Sequence, residues 1–115
     1  MLVDGFKIVP AEKADKPPAP PPLSSEEKRE QILMEALQAV NGSRDLNYGD
    51  PEDNFGVIAK LWEIIFGHEV KKWQVPLAMI AVKMARLINN PNHRDGWVDT
   101  AGYAAGGGQI TWEER

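Results

Sequence analysis

Apolar residues recur three and four apart through most of the chain. Ile32, Leu33, Ala36, Leu37 and Val40 form one such stripe, which is the spacing that puts side chains on one face of a helix. Ser24-Ser25-Glu26-Glu27 precedes it, with Ser and Glu three apart as in a capping box. Asn41-Gly42 follows and tolerates the left-handed turn that ends helices. The first helix is therefore expected over about 25–40. A loop from Gly42 leads to Asp50-Pro51, an N-cap followed by proline at the favoured first helical position. Glu52 and Asp53 put negative charge in the first turn, where the helix dipole favours it. Phe55, Ile58, Ala59, Trp62, Ile65 and Phe66 make the second apolar face, and Gly67 ends it.

The stretch 68–74 reads as a connecting loop. The third helix is expected from about Val75 to Ile88, with Pro76 in its first turn. It is apolar almost all round, the pattern of a central helix buried on most sides. Asn89-Asn90-Pro91-Asn92 stops it. A fourth helix should start near Asp95 and run through Trp97, Val98, Ala101, Tyr103 and Ala104 until Gly106-Gly107-Gly108 ends it. These elements predict an all-α, four-helix bundle-like domain over 24–108. In the tail, 109–115, Ile110 and Trp112 alternate with polar residues as in a short strand. That strand could pair with residues 2–9 or pack on a neighbouring subunit. Five of the six residues in Pro17–Pro22 are proline. Proline donates no backbone hydrogen bond and favours polyproline II, so 10–23 reads as a semi-rigid spacer and 1–23 as an extended arm.

Composition narrows the function. The chain has 115 residues, with 13 Lys and Arg against 17 Asp and Glu, a net charge of −4. That makes nucleic acid an unfavoured partner, since phosphate contacts need net positive charge on one face. Cysteine is absent, which excludes disulfides, thiolate zinc sites and a cysteine nucleophile, and fits a reducing compartment. Only His68 and His93 are available for histidine chemistry; both read as helix-end or loop residues. No run approaches the roughly 18 apolar residues of a membrane span, and Met1–Pro10 lacks the order of a signal peptide. A cytoplasmic location and no membrane partner are expected.

Lys83 and Arg86 are the charged residues between Val75 and Ile88, three apart on one helix face. Asp95, Asp99 and Tyr103 follow four apart on the next helix. A tight turn makes these helices antiparallel neighbours. Reflection about a midpoint near Asn92 sets Arg86 opposite Val98 or Asp99 and Lys83 near Ala101, within reach of Asp99 or Tyr103; Arg86 with Asp99 is the pair expected to form. One reading is a buried ion-pair network that fixes register. The other is a polar pocket for a nucleotide or other phosphorylated small molecule, since Arg and Lys both recognise phosphate. Tyr48 and Asn54 flank the start of the second helix, a ready anion site. They join Lys83, Arg86, Asp95, Asp99 and Tyr103 as candidate ligand-binding residues; catalytic residues are not assigned. Trp62, Trp73 and Trp97 read as core or subunit contacts.

Tyr48-Gly49-Asp50-Pro51-Glu52-Asp53-Asn54-Phe55, Ala59, Trp62, Lys83-x-x-Arg86 and His93-x-Asp95-x-Trp97-x-Asp99-x-x-Gly102-Tyr103 together resemble a small uncharacterised domain of phages and prophages. The resemblance covers about 43–105. It implies a phage origin, the host cell cytoplasm and a helical fold, but no reaction. A more distant similarity is to the all-α, MazG-like nucleotide pyrophosphohydrolases, through Asp99 followed by Gly102-Tyr103. Those enzymes bind magnesium through a Glu-Glu-x-x-Glu run and a Glu-x-x-Asp. Here Gly96 stands three before Asp99, and Lys83 and Arg86 occupy the third helix where carboxylates would be wanted. A divergent magnesium-dependent hydrolase would need Asp95, Asp99 and Glu63 or Asp53 to converge. A protein-interaction module, using the N-terminal arm and exposed tryptophans on a host or phage partner, is the remaining alternative. The apolar third helix predicts a homo-oligomer in either case.

Overall fold

The computed structural model describes residues 2–3, 6–7, 17–42 and 50–114. Four helices make up the domain: α1 (Ser25–Asn41), α2 (Pro51–Phe66), α3 (Gln74–Asn89) and α4 (Arg94–Ile110). The first two start where a side-chain cap directs them. The Ser24 hydroxyl accepts from the Glu27 amide at 3.1 Å, and the Glu27 carboxylate accepts from the Ser24 amide at 3.0 Å. That reciprocal pair caps α1. Asp50 caps α2 by accepting from the Glu52 amide at 2.8 Å. Gly67 ends α2 at φ 75°, a left-handed geometry that a Cβ would strain. An antiparallel pair of two-residue strands, β1 (Leu2–Val3) and β2 (Phe6–Lys7), lies in the N-terminal segment. Residues 17–24 lie outside helix and strand and are exposed, in keeping with prolines that cannot join a backbone ladder. The rest of the 10–23 spacer, and the 43–49 part of the loop before α2, lie outside the described residues.

The hub of the domain is α4, not α3. It packs most extensively on α3 and α1, and its second half also meets α2. Small residues make this possible. A Cβ on Gly96 would lie 2.7 Å from Leu87 of α3, on Gly102 3.3 Å from Val40 of α1, and on Gly106 2.9 Å from Phe55 of α2. Side chains from three neighbours thus enter the hollows that these glycines leave. The expectation that α3 is buried on most sides is overturned: Leu77, Val82, Met84 and Ile88 are exposed, Ile88 at 80%. Its apolar pattern reflects faces that the fold leaves open, while α4 is glycine-rich because it is crowded.

The glycine run is also not a stop signal. α4 continues through Gly106, Gly107 and Gly108 to Ile110. Gly106 is buried, and Ile110 packs against the core. Tertiary contact outweighs the low helix propensity of glycine, a cost of about 1 kcal/mol per residue. The expected C-terminal strand is corrected by the same fact. Gln109 and Ile110 are helical, Thr111 turns, and 112–114 forms no strand. Leu2–Val3 pairs with Phe6–Lys7 instead.

Phe55, Ala59, Val70 and Val75 form the centre of the core, with Ile58, Trp62, Met79, Tyr103 and Ile110 packed around it. It therefore sits where α2, the α2–α3 loop, the start of α3 and the second half of α4 converge. Full burial of a side chain such as Phe55 contributes about 1.5–3 kcal/mol. Among the described residues, seven hydrophobic core residues are buried, of which Val75 is completely enclosed, a small core even for a domain of this size.

Candidate functional site

The α3–α4 seam decides the fate of the two cations. Pro76 and Leu87 of α3 pack on Gly107 and Gly96 of α4, so the chains run antiparallel past each other. The turn between them is tight: the His93 amide donates to the Asn90 carbonyl at 3.1 Å, and the Gly96 amide to His93 at 3.1 Å. Leu87 opposite Gly96 sets the centre of the reflection between Pro91 and Asn92, earlier than Asn92 itself. Lys83, not Arg86, therefore meets Asp99. Their Nζ–Oδ2 distance is 2.8 Å, and the side chains are 16% and 22% exposed. The expected Arg86–Asp99 pair is replaced by this one. Arg86 lies three residues on, where the helical turn carries it off the seam; it is exposed and forms no ion pair among the described residues.

The other candidate residues are scattered. Asp95 is exposed in the first turn of α4, where the helix dipole accommodates its charge. The Tyr103 ring lies 6.3 Å from Phe55 at 40° and belongs to the core margin. Asn54 is half-buried in the first turn of α2, its amide donating to the Asp50 carbonyl at 3.0 Å. Tyr48 lies outside the described residues. The N-terminus of α2 is already served by a carboxylate: Asp50 takes the Glu52 amide and the Gln109 side-chain amide, the latter at 3.1 Å. Glu52 and Asp53 add further negative charge there, and Lys72 approaches Glu52 at 3.3 Å. An incoming phosphate would meet like charge at that end.

The polar pocket expected between the second, third and fourth helices is not what α3 and α4 enclose. They border an apolar groove of about 380 Å³, with Trp73, Leu77 and Ile80 along one wall and Ala104, Gly107 and Gly108 along the other. Tyr103 is the one candidate residue that reaches it. Among the described residues, no three His, Asp or Glu side chains gather as metal ligands. Glu63 instead accepts from the Val70 amide at 3.2 Å and faces Lys60 at 3.7 Å. The convergence of Asp95, Asp99 and Glu63 or Asp53 that a magnesium site requires is thus not formed. His68 stacks on Phe66 with centroids 6.2 Å apart, and exposed His93 precedes α4 without capping it.

Two features escaped the sequence reading. One is the Arg94–Glu35 pair, whose Nε–Oε2 distance of 2.8 Å ties the start of α4 to α1. No local spacing links residues so far apart in sequence. The other is the exposed apolar surface on α1 and α2. Ile64 at 80% and Ile65 at 69% on α2, and Leu33 at 64% on α1, stand with the open side of α3. The signal was present in the excess of apolar positions over what one stripe per helix needs. Trp73 and Trp97 are exposed as well, Trp97 donating to the Pro91 carbonyl at 2.9 Å. No helix of the described residues is long and apolar enough to cross a membrane.

Residues 31–111 match the family model described as a domain of unknown function, DUF6378. The chain is 41% identical over 75 residues to the Gene 55 protein of Mycobacterium phage D29, covering 65% of this chain and 50% of that protein. It is 42% identical over 74 residues to the Gene 55 protein of Mycobacterium phage L5, covering 64% and 47%. The matched stretch thus spans about half the length of each phage protein. No solved structure matches the chain. The match lies over all four helices and takes in the Lys83–Asp99 seam and the glycines of α4: the chain belongs to the DUF6378 family, with phage proteins among its relatives.

Proposed function

We propose that this chain is a phage accessory protein that works as a protein-interaction module. One observation carries the reading: large apolar side chains stand exposed on α1, α2 and α3, up to 80% at Ile64 and Ile88. Large apolar side chains left open on three helices suit contact with other protein rather than with a small charged ligand. The helical domain, 24–108 in the sequence reading, carries these faces. The proline-rich arm before it serves as a tether to the same partner.

The phosphate-ligand reading, with Tyr48, Asn54, Lys83, Arg86, Asp95, Asp99 and Tyr103 as its site, has less support. Lys83 is neutralised by Asp99, and that leaves Arg86 as its remaining described cation. A magnesium-dependent hydrolase lacks its carboxylate cluster among the described residues.

The test is site-specific photocrosslinking from Ile64 in phage-infected host cells, with exposed Asn92 in the α3–α4 turn as the control position. A discrete protein adduct from Ile64, absent from Asn92 and lost when Ile65 is changed to Glu, is the expected result. Absence of any discrete adduct from Ile64 and from Leu33 overturns the reading.

A further inference from the structure

The groove between α3 and α4 continues into a ridge. Leu77, Ala81, Met84 and Ile88 are spaced four, three and four along α3, the heptad rhythm of a helix seam. All four are exposed, Leu77 at 56% and Met84 at 55%. The neighbouring stripe, Pro76, Ile80, Lys83 and Leu87, is the one turned toward α4. The ridge is therefore a second seam, displaced by one residue, with no helix seated on it among the described residues. Beside it, Ala104 and Gly108 of α4 line the groove. Both are exposed, and a Cβ on Gly108 would have nothing within 4 Å. Large side chains on one helix thus lie next to small ones on its neighbour.

We propose that this face is the interface of a two-fold homodimer, in which the α3 ridge of each copy seats in the α4 groove of the other. The inference rests on the protein-contact reading and names the partner for this one face. Three observations point to a second copy. The shape is self-complementary, since a rotation about an axis parallel to the helices and lying between them exchanges ridge and groove. A closed, isologous contact needs that property. None of these six ridge and groove positions is charged, although 26% of the chain is. A copy meeting itself therefore brings no like charges together at these positions, and Glu113 and Glu114, which line a hollow with Gly108, stand at the edge of the face. The projected area lies at the lower edge of what a specific contact needs. A 16-residue helix is about 24 Å long, and two side by side are about 20 Å wide. That projects to about 500 Å² per copy before side-chain relief, close to the roughly 600 Å² per partner of the smaller specific interfaces. The resulting α3–α4–α3–α4 arrangement is a four-helix bundle formed between chains.

Sedimentation velocity of the full chain across a wide concentration range tests the proposal. Twice the 12.8 kDa chain mass is expected, with the dissociation constant raised at least tenfold by Met84→Lys and by Ala104→Trp. The first puts charge on the ridge and the second fills the groove. Both positions are exposed, and circular dichroism verifies that each variant keeps its helices; if one does not, the other carries the test. Ile64→Glu on α2 should leave the dimer unchanged. A wild-type chain that remains monomeric overturns the dimer, as does a dimer that survives both folded variants. A monomer that still gives the Ile64 adduct sinks the dimer alone and leaves the interaction reading standing.

Discussion

Asp99 stands before two cations of α3 and takes Lys83. The choice follows from the position of one turn, and it can be measured. Removing the carboxylate leaves a half-buried ammonium unpaired. Asp99→Ala should therefore cost about 1–3 kcal/mol, between the small value of an exposed pair and the larger one of a buried pair. A double-mutant cycle by urea unfolding should give a coupling energy between Lys83 and Asp99 and none between Arg86 and Asp99. The sequence showed that these charges had to meet a partner, and it named both partners' helices. It could not say which cation, because half a residue of turn geometry reverses the answer. The capping box gives a second test. Two hydrogen bonds from Ser24, the backbone one foremost, hold the Glu27 carboxyl below its ordinary value of 4.5. A lowered pKa means that the stabilisation is present above that value and lost as pH falls through the lowered one. Helicity at α1 should fall on acidification below 4.5, and Glu27→Ala should remove that part of the pH dependence measured by circular dichroism.

Among the elements, α4 shows what periodicity can and cannot reveal. Start and stop signals at Ser24, Asp50, Gly67 and Asn89 lie where the helices begin and end. They were legible because capping is local chemistry. Gly106-Gly107-Gly108 was misleading because its meaning is tertiary: Gly106 makes room for Phe55, Gly107 meets Pro76, and Gly108 is open. The three should respond differently to one added methyl. Gly106→Ala brings a Cβ within 2.9 Å of the Phe55 ring and should destabilise by about 1–3 kcal/mol, the range of overpacking. Gly108→Ala meets nothing within 4 Å and should stabilise by about 0.5–1 kcal/mol through helix propensity. Equal effects at both positions in thermal unfolding would contradict the packing described for α4. The apolar length of α3 was likewise visible in sequence, but its exposure was not, since periodicity marks a face without saying what covers it.

For the whole molecule, a small enclosed core coexists with apolar faces on three helices. Such a chain gains stability from whatever protein covers those faces. That coupling makes association visible in the unfolding temperature, because anything that binds only the folded state raises it. The ligand reading makes the opposite forecast: a nucleotide at 100 times its dissociation constant would add about 2.7 kcal/mol, several degrees for a domain of this size. Thermal unfolding of the full chain, followed over a hundredfold range of protein concentration with and without a nucleotide panel and magnesium, separates the two in one measurement. The interaction account predicts a midpoint that no nucleotide moves, and the dimer adds a rise with protein concentration. A midpoint raised by a nucleotide in the wild type and not in Arg86→Ala would contradict the interaction account.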